Sequence, residues 1–175
     1  MTSDVSMRVL WAGNLALFIG LSGPVFAASP ATTTLSVTLK ITSDCKVNVD
    51  PLAFGTHGSL LDNVEATSNI SVACSPGVKY KIGLDAGKGP SASVTARKMT
   101  NIVAPATTVD YQLYIDSART QNWGNADTAG TGVNVTPVIS DGTIRKYTIY
   151  GRVPNTQTTP AAGDYADSVG VIVTY

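Results

Sequence analysis

Apolar and polar residues alternate along much of this chain. In the stretch Thr32–Ile41, Leu35, Val37, Leu39 and Ile41 are separated by Ser36, Thr38 and Lys40. In a strand, a period of two sends every apolar side chain to one face and every polar one to the other. The pattern recurs. Ser68–Cys74 places Ile70, Val72 and Cys74 on one face, Ser75-Pro76-Gly77 reads as a turn, and Val78, Tyr80, Ile82 and Leu84 alternate again. Residues 68–84 therefore predict a hairpin-type pair. Arg97–Ile102 predicts a short strand, and Tyr111, Leu113 and Ile115 alternate with Gln112, Tyr114 and Asp116. Asp141-Gly142 is a hairpin signal. After it, Tyr147, Ile149 and Val153 face one way and Thr148, Tyr150 and Arg152 the other. Val169, Val171, Val173 and Tyr175 form a last strand, while residues 85–93 and 122–132 read as loops. After Ala28 no window shows helical spacing with caps. Many short strands with regular turns predict an all-β, immunoglobulin-like sandwich.

The alternating N-terminal stretch carries no tight-turn signal to a partner strand. It can complete the chain's own sheet or that of a neighbour. It follows a segment with the marks of a secretion signal over residues 1–27. Met7-Arg8 gives a positive start, Val9–Leu21 an apolar run broken by Gly13 and Asn14, and Val25-Phe26-Ala27 a small-x-small cleavage site. The run is shorter than the roughly 20 apolar residues of a membrane span. Met7 is an alternative start to Met1, and the mature chain is expected to begin at Ala28. What remains is about 150 residues, the size of one domain.

Formal net charge is zero and charged residues make up 14% of the chain, against a typical ~25%. Such a surface has no electrostatic footprint for nucleic acid and little charge repulsion to hold copies apart. The two cysteines, Cys45 and Cys74, in an exported chain read as one disulfide. The enclosed loop of about 30 residues is worth roughly 3–4 kcal/mol in the chain-entropy model. Two buried free thiols are the alternative. Two cysteines and the single His57 do not make the four ligands of a structural zinc site, so no metal or cofactor is expected.

Catalytic chemistry finds little support. His57 has no marked nucleophile or orienting carboxylate and reads as a surface residue. Glu65 is the only glutamate, and Asp85, Asp110, Asp116, Asp127, Asp141, Asp164 and Asp167 are scattered at turns and strand ends. Gly87-Lys88-Gly89-Pro90 resembles a phosphate loop but lacks the strand–loop–helix context. Trp123 could stack on a sugar, though a Trp half-buried near a strand end is commoner. No catalytic residue is assigned, and the chain is not expected to be an enzyme.

Several motifs, taken in order, resemble a known family: Ser43-Asp44-Cys45-Lys46-Val47, Leu52-Ala53-Phe54-Gly55, Ile70-Ser71-Val72-Ala73-Cys74, Tyr80–Gly87, Arg97-Lys98-Met99, Asp110–Tyr114, Trp123-Gly124, Tyr150-Gly151-Arg152-Val153-Pro154, Gly163–Asp167 and Val169–Tyr175. Over residues 28–175 the chain resembles the spore-coat U domain family, which includes the pilins of archaic (Csu-type) chaperone–usher pili. The resemblance implies an incomplete immunoglobulin-like sandwich completed by donor-strand exchange. It divides the mature chain into a donor segment, 28–42, and a pilin domain, 43–175. The donor face would be Leu35, Val37, Leu39 and Ile41. The acceptor groove, gripped first by a periplasmic chaperone, would border Val169, Val171, Val173 and Tyr175. On the same resemblance the Cys45–Cys74 bridge ties the start of the first core strand to the end of the next. Implied partners are further pilin subunits in a homopolymer, the chaperone and an outer-membrane usher. The implied destination is a cell-surface fimbrium serving adhesion and biofilm formation, reached through the periplasm. One domain with a donor segment fits a rod or repeating subunit, and the choice between major rod subunit and minor adaptor stays open. The alternatives are a self-completed secreted coat protein and a carbohydrate-binding module.

Overall fold

The computed structural model describes residues 29–125, 137–157 and 160–175. The expected signal segment, 1–27, and residues 126–132 of the expected loop at 122–132 lie outside them. The chain divides into two units, residues 1–39 and 40–175. In the first, residues 29–39 carry no strand, and Leu35, Val37 and Leu39 are 87%, 83% and 85% exposed.

The second unit is all strand and loop among the described residues. In chain order its strands are β1 (Cys45–Val49), β2 (Val64–Cys74), β3 (Lys79–Leu84), β4 (Arg97–Asn101), β5 (Thr108–Tyr114), β6 (Val138–Ile139), β7 (Arg145–Val153), β8 (Tyr165–Ala166) and β9 (Val171–Thr174). They form a six-stranded sheet in the order β1-β2-β7-β5-β4-β8 and a three-stranded sheet in the order β6-β3-β9. Every pairing is antiparallel.

The core takes the alternate residues of facing strands. Ile70, Val72 and Cys74 come from β2, Tyr111 and Leu113 from β5, Ile149 and Val153 from β7, and Tyr80, Ile82 and Leu84 from β3. Cys45 and Cys74 stand opposite each other in the β1–β2 register and are joined as a disulfide.

Two expected hairpins are corrected. β2 and β3 are joined by Ser75-Pro76-Gly77, yet β2 pairs with β1 and β7 while β3 pairs with β6 and β9. Likewise Asp141-Gly142 links β6 of the smaller sheet to β7 of the larger. Both turns exist; both carry the chain across the sandwich. Ser140 links them, because Gly77 N donates to its carbonyl at 2.8 Å and its hydroxyl donates to the Cys74 carbonyl at 2.8 Å. Gly142 sits at φ 87°, in the left-handed region a side chain disfavours. Asp141 accepts from Thr143 N and Oγ1 and from Arg145. The Thr143 bonds, with Arg145, hold its carboxyl well below the usual carboxylate range.

Two buried side chains fasten the sheets together. Trp123 is fully buried; its backbone N–H donates to Leu113 of β5 at 2.8 Å and its indole N–H to Ile82 of β3 at 3.1 Å. It has no free face for a sugar, which removes the residue on which a carbohydrate site was entertained. Arg97 of β4 is also fully buried and donates to the carbonyls of Asp85, Val94, Leu84 and Trp123. Burial pushes its guanidinium below the ordinary arginine value, opposed by Tyr111, Asp85 and Asp167.

Candidate binding groove

β9 is the outer strand of the smaller sheet, paired on one side with β3 from Lys81↔Thr174 to Leu84↔Val171. An inner strand of a sandwich shows one buried and one exposed face. Here Val171, Ile172, Val173 and Thr174 are all half-buried. Val171 of this strand also borders a groove. This groove of about 1170 Å³ opens between the sheets, with Val169, Val171 and Leu84 on one border and Met99, Val109, Tyr111 and Val153 on its floor.

A second border comes from Leu52, Phe54 and Leu60, which line the same groove. The chain leaves β1's ladder at Asp50, whose N–H donates to Asn69 at 3.0 Å and whose carbonyl accepts from Ser68 Oγ. Residues 51–60 then run without strand structure. Leu52 and Phe54 reach back onto the larger sheet, where the Phe54 ring meets Tyr111 edge-on at 6.1 Å. His57 lies at this border and is exposed; its Nε2–H donates to the Phe54 carbonyl at 2.7 Å.

The approach to β9 is locked by two carboxylates. Asp85 Oδ1 accepts from Gly87 N at 2.9 Å and Gly170 N at 2.8 Å, and Asp85 N donates to Gly170 O at 3.0 Å. Asp167 accepts from Lys88 N at 2.7 Å and from the Tyr111 hydroxyl at 2.6 Å. Burial, then the bond to Asp167 and its charge, push the Tyr111 hydroxyl well above the ordinary tyrosine value. The backbone of Gly87-Lys88 thus faces the protein's own Asp85 and Asp167, and the phosphate-loop likeness is overturned.

Of the residues singled out in the sequence, Val169 and Val171 line the groove, Val173 packs against the core, and Tyr175 is 57% exposed. Leu35, Val37 and Leu39 are exposed, as is Ile41 at 83%. No described residues gather three or more His, Cys, Asp or Glu in a group that could hold a metal. Residue-by-residue reading did not single out Phe54 for the site, nor Gly151 or Arg97. Gly151 carried a readable signal: it occupies an inward position of the alternation Tyr147, Ile149, Gly151, Val153.

A family model described as the Spore Coat Protein U domain matches residues 31–172. No curated protein matches the chain. Among solved structures, similarity extends to a chain in the CsuC–CsuE chaperone–tip adhesion subunit pre-assembly complex from archaic chaperone–usher Csu pili of Acinetobacter baumannii. Identity is 24%, the TM-score is 0.56, and the match covers 77% of this chain and 40% of that one. A chain of a chaperone–tip adhesin complex in CFA/I fimbriae biogenesis matches at 16% identity and a TM-score of 0.37, over 73% of this chain and 37% of that one. The chain thus spans 40% or less of the length of these solved chains. The family model extends over nearly the whole sandwich described above, from residue 31 to residue 172, and the chain belongs to the Spore Coat Protein U domain family.

Proposed function

We propose that this chain is a structural subunit of an archaic chaperone–usher pilus, polymerising when residues 33–41 of one copy fill the groove of the next. One observation carries the reading. The same chain has an apolar groove beside a half-buried outer strand and an exposed segment with an apolar residue at every second position. Burying Leu35, Val37, Leu39 and Ile41 brings roughly 1.5–3 kcal/mol each, and each new backbone hydrogen bond along β9 about 0.5–1.5 kcal/mol. Head-to-tail pairing of this kind does not close on itself, so it propagates as a fibre.

An open core beside an outer strand is an aggregation hazard before assembly. A periplasmic chaperone is therefore expected to lend a strand to the groove, and the outer-membrane usher to exchange it for the next subunit's segment. Residues 28–42 are the donor and 43–175 the acceptor domain, with the role structural rather than catalytic. The product is a surface fimbrium for adhesion and biofilm formation. A self-completed coat protein would instead bury Leu35–Ile41 in its own sheet and stay monomeric, which size exclusion after refolding distinguishes.

Deleting residues 28–41 tests the reading. The shortened chain should still accumulate with its chaperone but fail to extend a fibre. SDS-resistant ladders from the deletion variant would refute donor-strand exchange. Removing Val173–Tyr175 should abolish periplasmic accumulation if β9 is the chaperone's grip; normal amounts of soluble truncated subunit would argue otherwise.

A further inference from the structure

The inward positions of β7 are Tyr147, Ile149, Gly151 and Val153, so the glycine leaves a hole in the inner face of the larger sheet. Its register partners are Ala66 on β2 and Leu113 on β5, which keeps one flank of the hole small. Gly151 is not among the positive-φ glycines, so its backbone does not demand glycine; the space above it does. A Cβ there would stand 3.0 Å from Phe54 Cζ and 3.1 Å from both Phe54 Cε1 and Leu52 Cδ1.

We infer that Phe54, seated on Gly151, is a positioning residue that sets the width of the groove for the incoming strand. The inference rests on the donor-strand reading above. Past Asp50 no strand ladder holds residues 51–60, so the seated side chains fix where this border stands. Phe54 is both the foot of the border and part of the groove lining. A methyl group on Gly151 would lift the ring into the groove, and removing the ring would let the border collapse or widen. A ring that merely filled the core would affect stability alone. One that positions the border affects strand binding as well.

The test uses the exported full chain as a monomer and a fluorescein-labelled peptide of residues 33–41, with anisotropy and urea unfolding read side by side. Gly151→Ala should weaken peptide binding by at least about tenfold, the order expected from overpacking. Gly151→Ala with Phe54→Leu should restore affinity to within about threefold of wild type, since the shorter side chain yields the space. Wild-type affinity in Gly151→Ala, or no rescue by Phe54→Leu, would overturn the inference. If Gly151→Ala does not fold, Phe54→Ala decides: a loss of about tenfold supports the role, and unchanged affinity removes it. A wild-type chain that fails to bind the peptide brings down the donor-strand reading and this inference with it. Binding by wild type with unaffected variants removes only the role of Phe54.

Discussion

Around Arg97 and Trp123 the interior of the sandwich is densely hydrogen-bonded across the two sheets. A guanidinium donates to four carbonyls, an indole N–H to a fifth, and neither side chain reaches solvent. Along β9 the opposite holds: every residue is half-buried and the apolar floor stays open to a groove. The contrast sets cross-sheet bonds on a few buried polar groups against a part of the apolar interior that faces a groove.

The largest expected effect comes from undoing the bonded region. Arg97→Met leaves four buried carbonyls without their donor and should lower stability by roughly 3–5 kcal/mol. Trp123→Ala should cost about 3–5 kcal/mol through the cavity it creates. Urea unfolding of the exported chain measures both, and a neutral Arg97→Met would break the comparison.

Next comes the Cys45–Cys74 bridge, which closes the edge pair β1–β2. Replacing both cysteines by serine should cost about 3–4 kcal/mol. Mass spectrometry of the unreduced protein should show two hydrogens missing, and alkylation of both thiols in exported protein would contradict the bridge.

A smaller effect lies where the two regions meet. Tyr111→Phe removes a hydrogen bond to a carboxylate and should cost about 1.5–3 kcal/mol. The pH dependence has a definite sign. The folded chain holds the Tyr111 proton above the ordinary value of 10.0, so its stabilisation is complete below about pH 10 and is lost as pH rises further. Burial and its bond to Tyr80 raise Tyr147 in the same direction. Urea midpoints should fall above about pH 10, and less steeply in Tyr111→Phe. A slope unchanged by that substitution would detach Tyr111 from the effect.

The smallest stability change should come from the exposed segment. Val37→Asp or Leu39→Asp should leave the monomer within about 0.5 kcal/mol of wild type. The same substitutions should block polymerisation, because an unpaired charge would have to enter an apolar groove. Unfolding curves and non-boiled gels read the two halves separately. A destabilised monomer would mean the segment belongs to its own sheet.

Alternation alone located β2, β3, β5 and β7 and chose their inward faces, because side-chain direction in a strand depends only on the strand itself; it also located β9, whose four residues are all half-buried. It also marked the Leu35–Ile41 segment, and export with two cysteines pointed to the disulfide. Pairing was another matter. Ser75-Pro76-Gly77 and Asp141-Gly142 each state that the chain turns, and nothing local states whether it returns within one sheet or crosses to the other. The short β6 and β8 have too few residues for a pattern to register. Arg97 reads as a surface residue by type. Its burial depends on carbonyls of Leu84, Asp85, Val94 and Trp123, segments brought together only by the fold. Gly151 reads as a gap in a pattern until Leu52 and Phe54 fill it. Local periodicity determined which residues face inward. Only the tertiary structure decided where the inside opens to a groove, because a groove belongs to the arrangement of strands and to no residue in particular.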